Sequence, residues 1–379
     1  MDYQDTMNFG RRLNEIYLSI TRSPIHIELI TDLFWRFYEG GYTASQVISH
    51  CNRRANEDAG YPILPEPEPL PSLPRLKVSD KFLTLEDGTP FTAIEASDFN
   101  ALGRFVNGEN LVDIRDQRRL LGYNLVRVFT AYSVNGIGRL IPNDIMYRAI
   151  PEFLQYYTQA GIYVELVAFT GPYTELFANQ EEMKEHWRKL VDICDKESNV
   201  LLERINEYDN SANAGAPGVL PHPLVTISSN GSACADSAPK QPVWNYCSYH
   251  SNNLNEWWRK VGHNAMEFAD TYNRPCISNE NTRFPDSDNN VVHAYDAARG
   301  AALLCAGSCF HSIHGKSSEL WDGRELECAI AWAEGALSVP LEFQRGNYHH
   351  RTDLESPGIL RAYDRQLSDG RNFVVKIHV

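Results

Sequence analysis

The chain has 379 residues, 43% of them apolar and 22% charged, ordinary for a soluble globular protein and enough for one large domain plus an appendage. Lys and Arg number 35 against 49 Asp and Glu, and the net charge of −14 argues against nucleic acid or an anionic membrane surface as partner. No run approaches the ~18 apolar residues of a membrane-spanning helix, and the opening MDYQDTMNFGRRLNEIYLSI lacks the apolar core and cleavage site of a signal peptide. The expectation is a cytoplasmic protein, released by lysis or carried on a larger particle if its substrate lies outside.

Residues 1–62 read as helices, because LNEIYLSI and HIELITDLFWRFYEG repeat apolar residues every three or four positions. Gly40-Gly41 stops the second helix, and Thr43 to Gln46 fits a capping box for a third. This extension is either a self-association module (residues 1–60) or a helical appendage on the main domain. Residues 63–76, within YPILPEPEPLPSLPRL, hold too many prolines for helix or sheet and read as an extended connector. The main domain then spans 77–379 and opens on a hairpin around Asp87-Gly88.

From Phe91 a strand–helix rhythm sets in. Strands are expected in FTAIEAS, NLVRVFTAY, IYVELVAF, NVLLERI, PLVTISS, NYCSYH and PCISNE, and the eighth near residues 308–314. Helices fall at LVDIRDQRRLLG, MYRAIPEFLQYYTQAG, EEMKEHWRKLVDICDKE, HAYDAARGAALLCAG and LECAIAWAEGALS. Between strands four and six the Gly- and Pro-rich segments NSANAGAPGVLPH and GSACADSAPKQPVW predict helices that are absent or rudimentary. ILRAYDRQLSDGRNFVVKIHV closes the chain as a β-hairpin. Such alternation predicts an α/β fold with a parallel sheet, here a (β/α)₈ TIM barrel. Eight scattered cysteines without a CxxC pair read as buried thiols, with a Cys234–Cys247 disulfide only in an oxidising compartment.

Chemistry in such a barrel gathers where strands end. The fourth strand empties into Asn206-Glu207 and the seventh ends at Glu280, and two carboxyls so placed are the minimum for glycoside hydrolysis. This order resembles the retaining glycoside hydrolases of the large (β/α)₈ clan A, which includes cellulases, mannanases and β-glycosidases. The resemblance spans roughly residues 77–340. It implies Glu207 as acid/base, Glu280 as nucleophile, and Asn206 as partner of the sugar 2-hydroxyl. It further implies that Arg127, inside strand two, orients Glu280; a partner in Glu165 or Glu203 is the other reading of a buried arginine. His250, with Tyr249 or Tyr246, would belong to the shell around substrate and nucleophile, and Trp321 would floor the sugar subsite. Glu95, Asp98 and Tyr132 are further candidates for sugar hydroxyls. Glu203, about 13 Å back along the strand from Glu207 at ~3.3 Å per residue, is the rival acid.

The implied activity is double-displacement hydrolysis of β-linked glycosides or polysaccharides, with a carbohydrate substrate and no cofactor. No metal is expected, since His311, His314, His349 and His350 fall in no ligand pattern. A catalytically silent carbohydrate-binding barrel and a structural, particle-associated protein are the alternatives.

Overall fold

The computed structural model describes residues 54, 72–134, 137–170, 173–207, 225–226, 245–250, 257–280, 284 and 290–379. The expected N-terminal helices, their self-association, most of the proline connector and the two Gly/Pro-rich segments lie outside the described residues. The chain from Leu73 is already packed on the domain, and Tyr163 donates to the Pro74 carbonyl at 2.6 Å.

A small antiparallel sheet comes first: β1 (Leu76–Ser79), β2 (Phe82–Leu85) and β3 (Pro90–Phe91), with the Asp87-Gly88 turn between the last two. The parallel strands then begin with β4 (Ala93–Ser97) and β5 (Leu125–Phe129), joined through helices α1 (Ala101–Val106) and α2 (Val112–Leu120). The short ribbon β6 (Tyr132–Val134) and β7 (Gly138–Leu140) leads into α3 (Asp144–Thr158), then β8 (Tyr163–Phe169). Helices α4 (Tyr173–Leu176) and α5 (Gln180–Cys194) precede β9 (Val200–Ile205). Next come β10 (Val225–Thr226), β11 (Cys247–His250), α6 (Trp257–Tyr272), β12 (Cys276–Asn279), α7 (Val291–Leu304) and β13 (Gly307–Phe310). Helices α8 (Ile313–Lys316) and α9 (Gly323–Leu337) lead to an antiparallel sheet of β14 (Asn347–His350), β15 (Ile359–Gln366) and β16 (Asn372–His378).

The eight parallel strands hydrogen-bond in the order β10-β9-β8-β5-β4-β13-β12-β11. The first strand of the series therefore lies beside the last, and the sheet curls back on itself. At that junction Gly307 has φ +130°, and a Cβ there would sit 2.1 Å from the Ala93 carbonyl oxygen, so no side chain fits.

Alternation along each strand sorts side chains to two faces. Ile94, Val126, Val128, Val164, Leu166 and Leu202 face the helices and form the main apolar layer. Leu125, Tyr163, Leu201 and Ile277 face inward and, with Leu76, Leu83 and Phe91 of the small sheet, plug one end of the sheet interior.

All eight expected parallel strands have a counterpart. Several elements escaped the sequence reading: the short α1, β7, α4 and α8, and with them α6 and β14. Helix α6 carries Trp257, Val261, Ala265 and Ala269 buried at every fourth position, a signal that Gly262 and Asn264 interrupt. The terminal hairpin gains a third strand, β14, whose sequence NYHH has no apolar alternation to announce it. The six described cysteines are buried free thiols, Cys247 among them; Cys51 and Cys234 lie outside the described residues. No helix of the described residues is long and apolar enough to cross a membrane.

Candidate active site

Above the apolar plug the inward positions turn polar. Glu95, Arg127, Glu165 and Glu203, from four consecutive strands of the sheet, are all fully buried. A buried guanidinium needs anionic partners, and Arg127 has them on every edge. Its Nε donates to Glu203 Oε2 at 2.6 Å and its Nη2 to Glu203 Oε1 at 2.8 Å, a bidentate pair. Nη2 also donates to Asn206 Oδ1 at 2.8 Å, and Nη1 donates to Glu280 Oε1. Glu165 lies 3.7 Å from Nε and accepts the Tyr246 hydroxyl at 2.5 Å. Both readings of Arg127 therefore hold at once: it meets Glu280 and the interior carboxylates together.

One layer higher, at the strand ends, stand Asn206, Glu207, His250 and Glu280. Donor atoms of Glu207, His250 and Glu280 all lie within 4.8 Å of one another. Such a carboxylate–imidazole–carboxylate set could hold a divalent cation, though two-carboxyl chemistry needs none. His250 Nδ1 is 3.8 Å from Glu280 Oε2, near enough for its field to act but too far for a hydrogen bond. Both glutamates leave their strands with left-handed backbone, φ 49° at Glu207 and 45° at Glu280. Neither is glycine or asparagine, so each conformation is strained, as happens where a side chain is aimed for function.

Electrostatics separates the carboxyls. Burial pushes the Glu280 pKa up, but the fields of His250, Arg127 and His311 overcome that and hold it well below the usual carboxylate range. Glu95 goes the other way: burial, then the neighbouring Glu165, raise it well above that range, so it stays a neutral acid. Arg127 stays charged, since Glu203 and Glu280 outweigh the cost of its burial.

Other expected site residues lie elsewhere. Glu95 faces the interior one layer beneath the strand ends. Asp98 is a correction: it is fully buried against Arg118, at 2.9 and 3.2 Å, where no sugar reaches it. Trp321 is a second one. It is 1% exposed, with Arg118 3.5 Å over its ring and Tyr123 and Phe310 around it, and its Nε1 donates to Ser312 Oγ at 2.9 Å. It forms packing behind the first and eighth strands, not a sugar platform. Tyr249, adjacent to the inward His250, must point outward, and there it accepts from Asn264 at 2.8 Å and packs on Phe268. Tyr132 is buried with its hydroxyl on Asn100. His311 is the residue the reading missed. The eighth strand ends at Phe310, so His311 sits at its exit with its field on Glu280, while His314 lies on α8 paired with Glu325.

A consequence can be measured. Trp321→Ala should cost about 3–5 kcal/mol of stability, as deletion of a buried aromatic does, and leave KM for a cleaved glycoside unchanged. Thermal unfolding beside Michaelis kinetics checks this, and a raised KM in a stably folded variant would return Trp321 to the substrate.

Comparison with known proteins bears on what this arrangement does. The pattern of the family described as cellulase (glycosyl hydrolase family 5) matches residues 85–298. A glycoside hydrolase family 5 structure from Bacteroides vulgatus aligns with 77% of this chain and 78% of its own, at 15% identity and TM-score 0.56. A second structure, described as a glycoside hydrolase, aligns with 80% of this chain and 91% of its own at 13% identity and TM-score 0.52. At those identities the likeness is one of fold. No curated protein matches the chain.

Proposed function

The chain belongs to glycoside hydrolase family 5, whose members hydrolyse glycosidic bonds with retention through two glutamates, and we propose that here Glu280 is the nucleophile and Glu207 the acid/base. The observation that carries this is the approach of the two carboxyls, within 4.8 Å oxygen to oxygen, from strand ends that share one mouth. Retaining chemistry needs the carboxyls about 5–5.5 Å apart and inversion roughly 6.5–9.5 Å to admit a water; oxygens of the pair within 4.8 Å are compatible with the shorter span that the family's retaining chemistry needs. The curled sheet is read as a (β/α)₈ barrel, with closure between β10 and β11 removing its two open edges.

The division of labour follows from surroundings. Glu280, held anionic by His250, Arg127 and His311, attacks the anomeric carbon as the leaving oxygen departs. Glu207 is the more exposed of the pair; it protonates that oxygen, then takes a proton from the water that hydrolyses the glycosyl-enzyme. Asn206 turns its amide NH₂ towards the sugar, because its Oδ1 already accepts from Arg127. A donor there meets the 2-hydroxyl of a β-linked substrate, a contact that strengthens in the transition state.

Glu207→Ala tests the assignment. Loss of the acid should lower turnover about 10²- to 10⁴-fold on substrates with poor leaving groups and far less on nitrophenyl glycosides. Azide, needing no general base, should restore turnover of the nitrophenyl substrates and give a β-glycosyl azide. An equal loss on both substrate types without azide rescue would remove Glu207 from the role.

A further inference from the structure

Glu203 lies inside the sheet, four positions before Glu207 and on the face that Arg127 occupies. It takes two of the guanidinium's N–H groups in a fork at 2.6 and 2.8 Å, with both side chains fully buried. That grip leaves the opposite edge of the guanidinium to face the mouth, where Nη1 meets Glu280 and the second Nη2 hydrogen meets Asn206. The planar fork makes these contacts interdependent. If Arg127 pivots, its charge stays beside Glu280, but the donors that orient the Glu280 carboxylate and the Asn206 amide turn with it.

Glu203 is also an anion close to the nucleophile. It neutralises part of the Arg127 charge, and so tempers how strongly that charge suppresses the basicity of Glu280. A nucleophile whose pKa is driven down without limit becomes a poor one, so an interior counter-charge serves the reaction as well as the fold.

We propose that Glu203 is a positioning residue for hydrolysis: through its bidentate hold on Arg127 it sets the orientation of the Glu280 carboxylate and of the Asn206 amide together. The inference rests on Glu280 being the nucleophile. It assigns Glu203 no contact with the sugar, and so separates it from Glu207 on the same strand.

The test uses the full chain and the nitrophenyl β-glycoside that the parent turns over fastest. Glu203→Gln keeps the shape but turns one acceptor into a donor facing Nε or Nη2. We expect kcat to fall roughly 10- to 100-fold, as for a misplaced reacting group, with KM within about threefold of the parent. The acid limb of kcat/KM should move to lower pH, because removing a neighbouring anion lowers the Glu280 pKa. Glu203→Asp keeps the charge but not the fork. It should return the acid limb to its parental position while kcat stays depressed, and it carries the test if the glutamine variant does not fold. Arg127→Lys with Glu203→Gln should be no worse than Arg127→Lys alone, since both break one linkage.

Parental kcat and acid limb in a folded Glu203 variant would overturn the proposal. So would strictly multiplicative losses in the double variant, or, in Glu203→Gln, a lowered melting temperature with an unmoved pH profile. A 2-deoxy-2-fluoro glycoside keeps the two claims apart by labelling the nucleophile in the parent. A label on another residue defeats the assignment of Glu280; a label on Glu280 with parental kinetics in Glu203→Gln defeats only the positioning role.

Discussion

Glu280→Ala should abolish turnover of aryl glycosides and polysaccharides alike, by on the order of 10⁴-fold or more, because no covalent intermediate can form without the carboxylate. An activated leaving group cannot rescue this variant by itself, which sets it apart from Glu207→Ala. The parent's pH profile carries the same assignment. Burial works against ionisation of Glu280, yet His250, Arg127 and His311 together keep its pKa below the ordinary glutamate value of about 4.3. A group whose pKa is lowered stays charged as pH falls, so the acid limb of kcat/KM should lie below that value. The alkaline limb reports loss of the proton that the general acid must carry. Near-parental turnover by Glu280→Ala, or an acid limb above the ordinary glutamate value, would mean that the nucleophile lies elsewhere.

Arg127→Ala should be the most damaging single change to the fold of the site. It would strand Glu203 and Glu280, with Glu165 at 3.7 Å, as buried anions without their shared cation. Breaking a buried pair costs about 3–5 kcal/mol, which in a domain of this size lowers the melting temperature by roughly 5–10 °C. The sign of the pH effect is also determined. Removing a positive charge lets burial act on Glu280 unopposed on that side, so its pKa rises and the acid limb moves up. Thermal unfolding at neutral pH and the pH dependence of residual activity measure the two effects separately. An unchanged melting temperature would show that the interior carboxylates are neutralised by other means.

The local signals were enough for the skeleton of this molecule. A buried parallel strand writes itself as an apolar run and an exit as a polar turn, and both are short-range properties that survive without tertiary context. Hence Val200–Ile205 with Asn206 and Glu207, and Cys276–Asn279 with Glu280, could be read as strand ends from the residues alone. The resemblance to a glycosidase clan rested on that order. Face parity was not drawn on: Tyr249, expected beside the substrate with His250, has to point at the helices because its neighbour faces inward. What the chain did not state is which distant groups meet inside the sheet. Arg127 has Glu165, Glu203, Asn206 and Glu280 within reach only because four strands curl around it, and no spacing along one strand encodes that meeting. Asp98 and Trp321 show the same limit from outside. Asp98 stands just past the first strand and Trp321 beyond α8 after the eighth, where sequence suggests a mouth, yet Arg118 of α2 draws both into the packing between strand and helix. The direction a loop takes after its strand depends on the partner that satisfies its buried charge, and only the assembled fold supplies that partner.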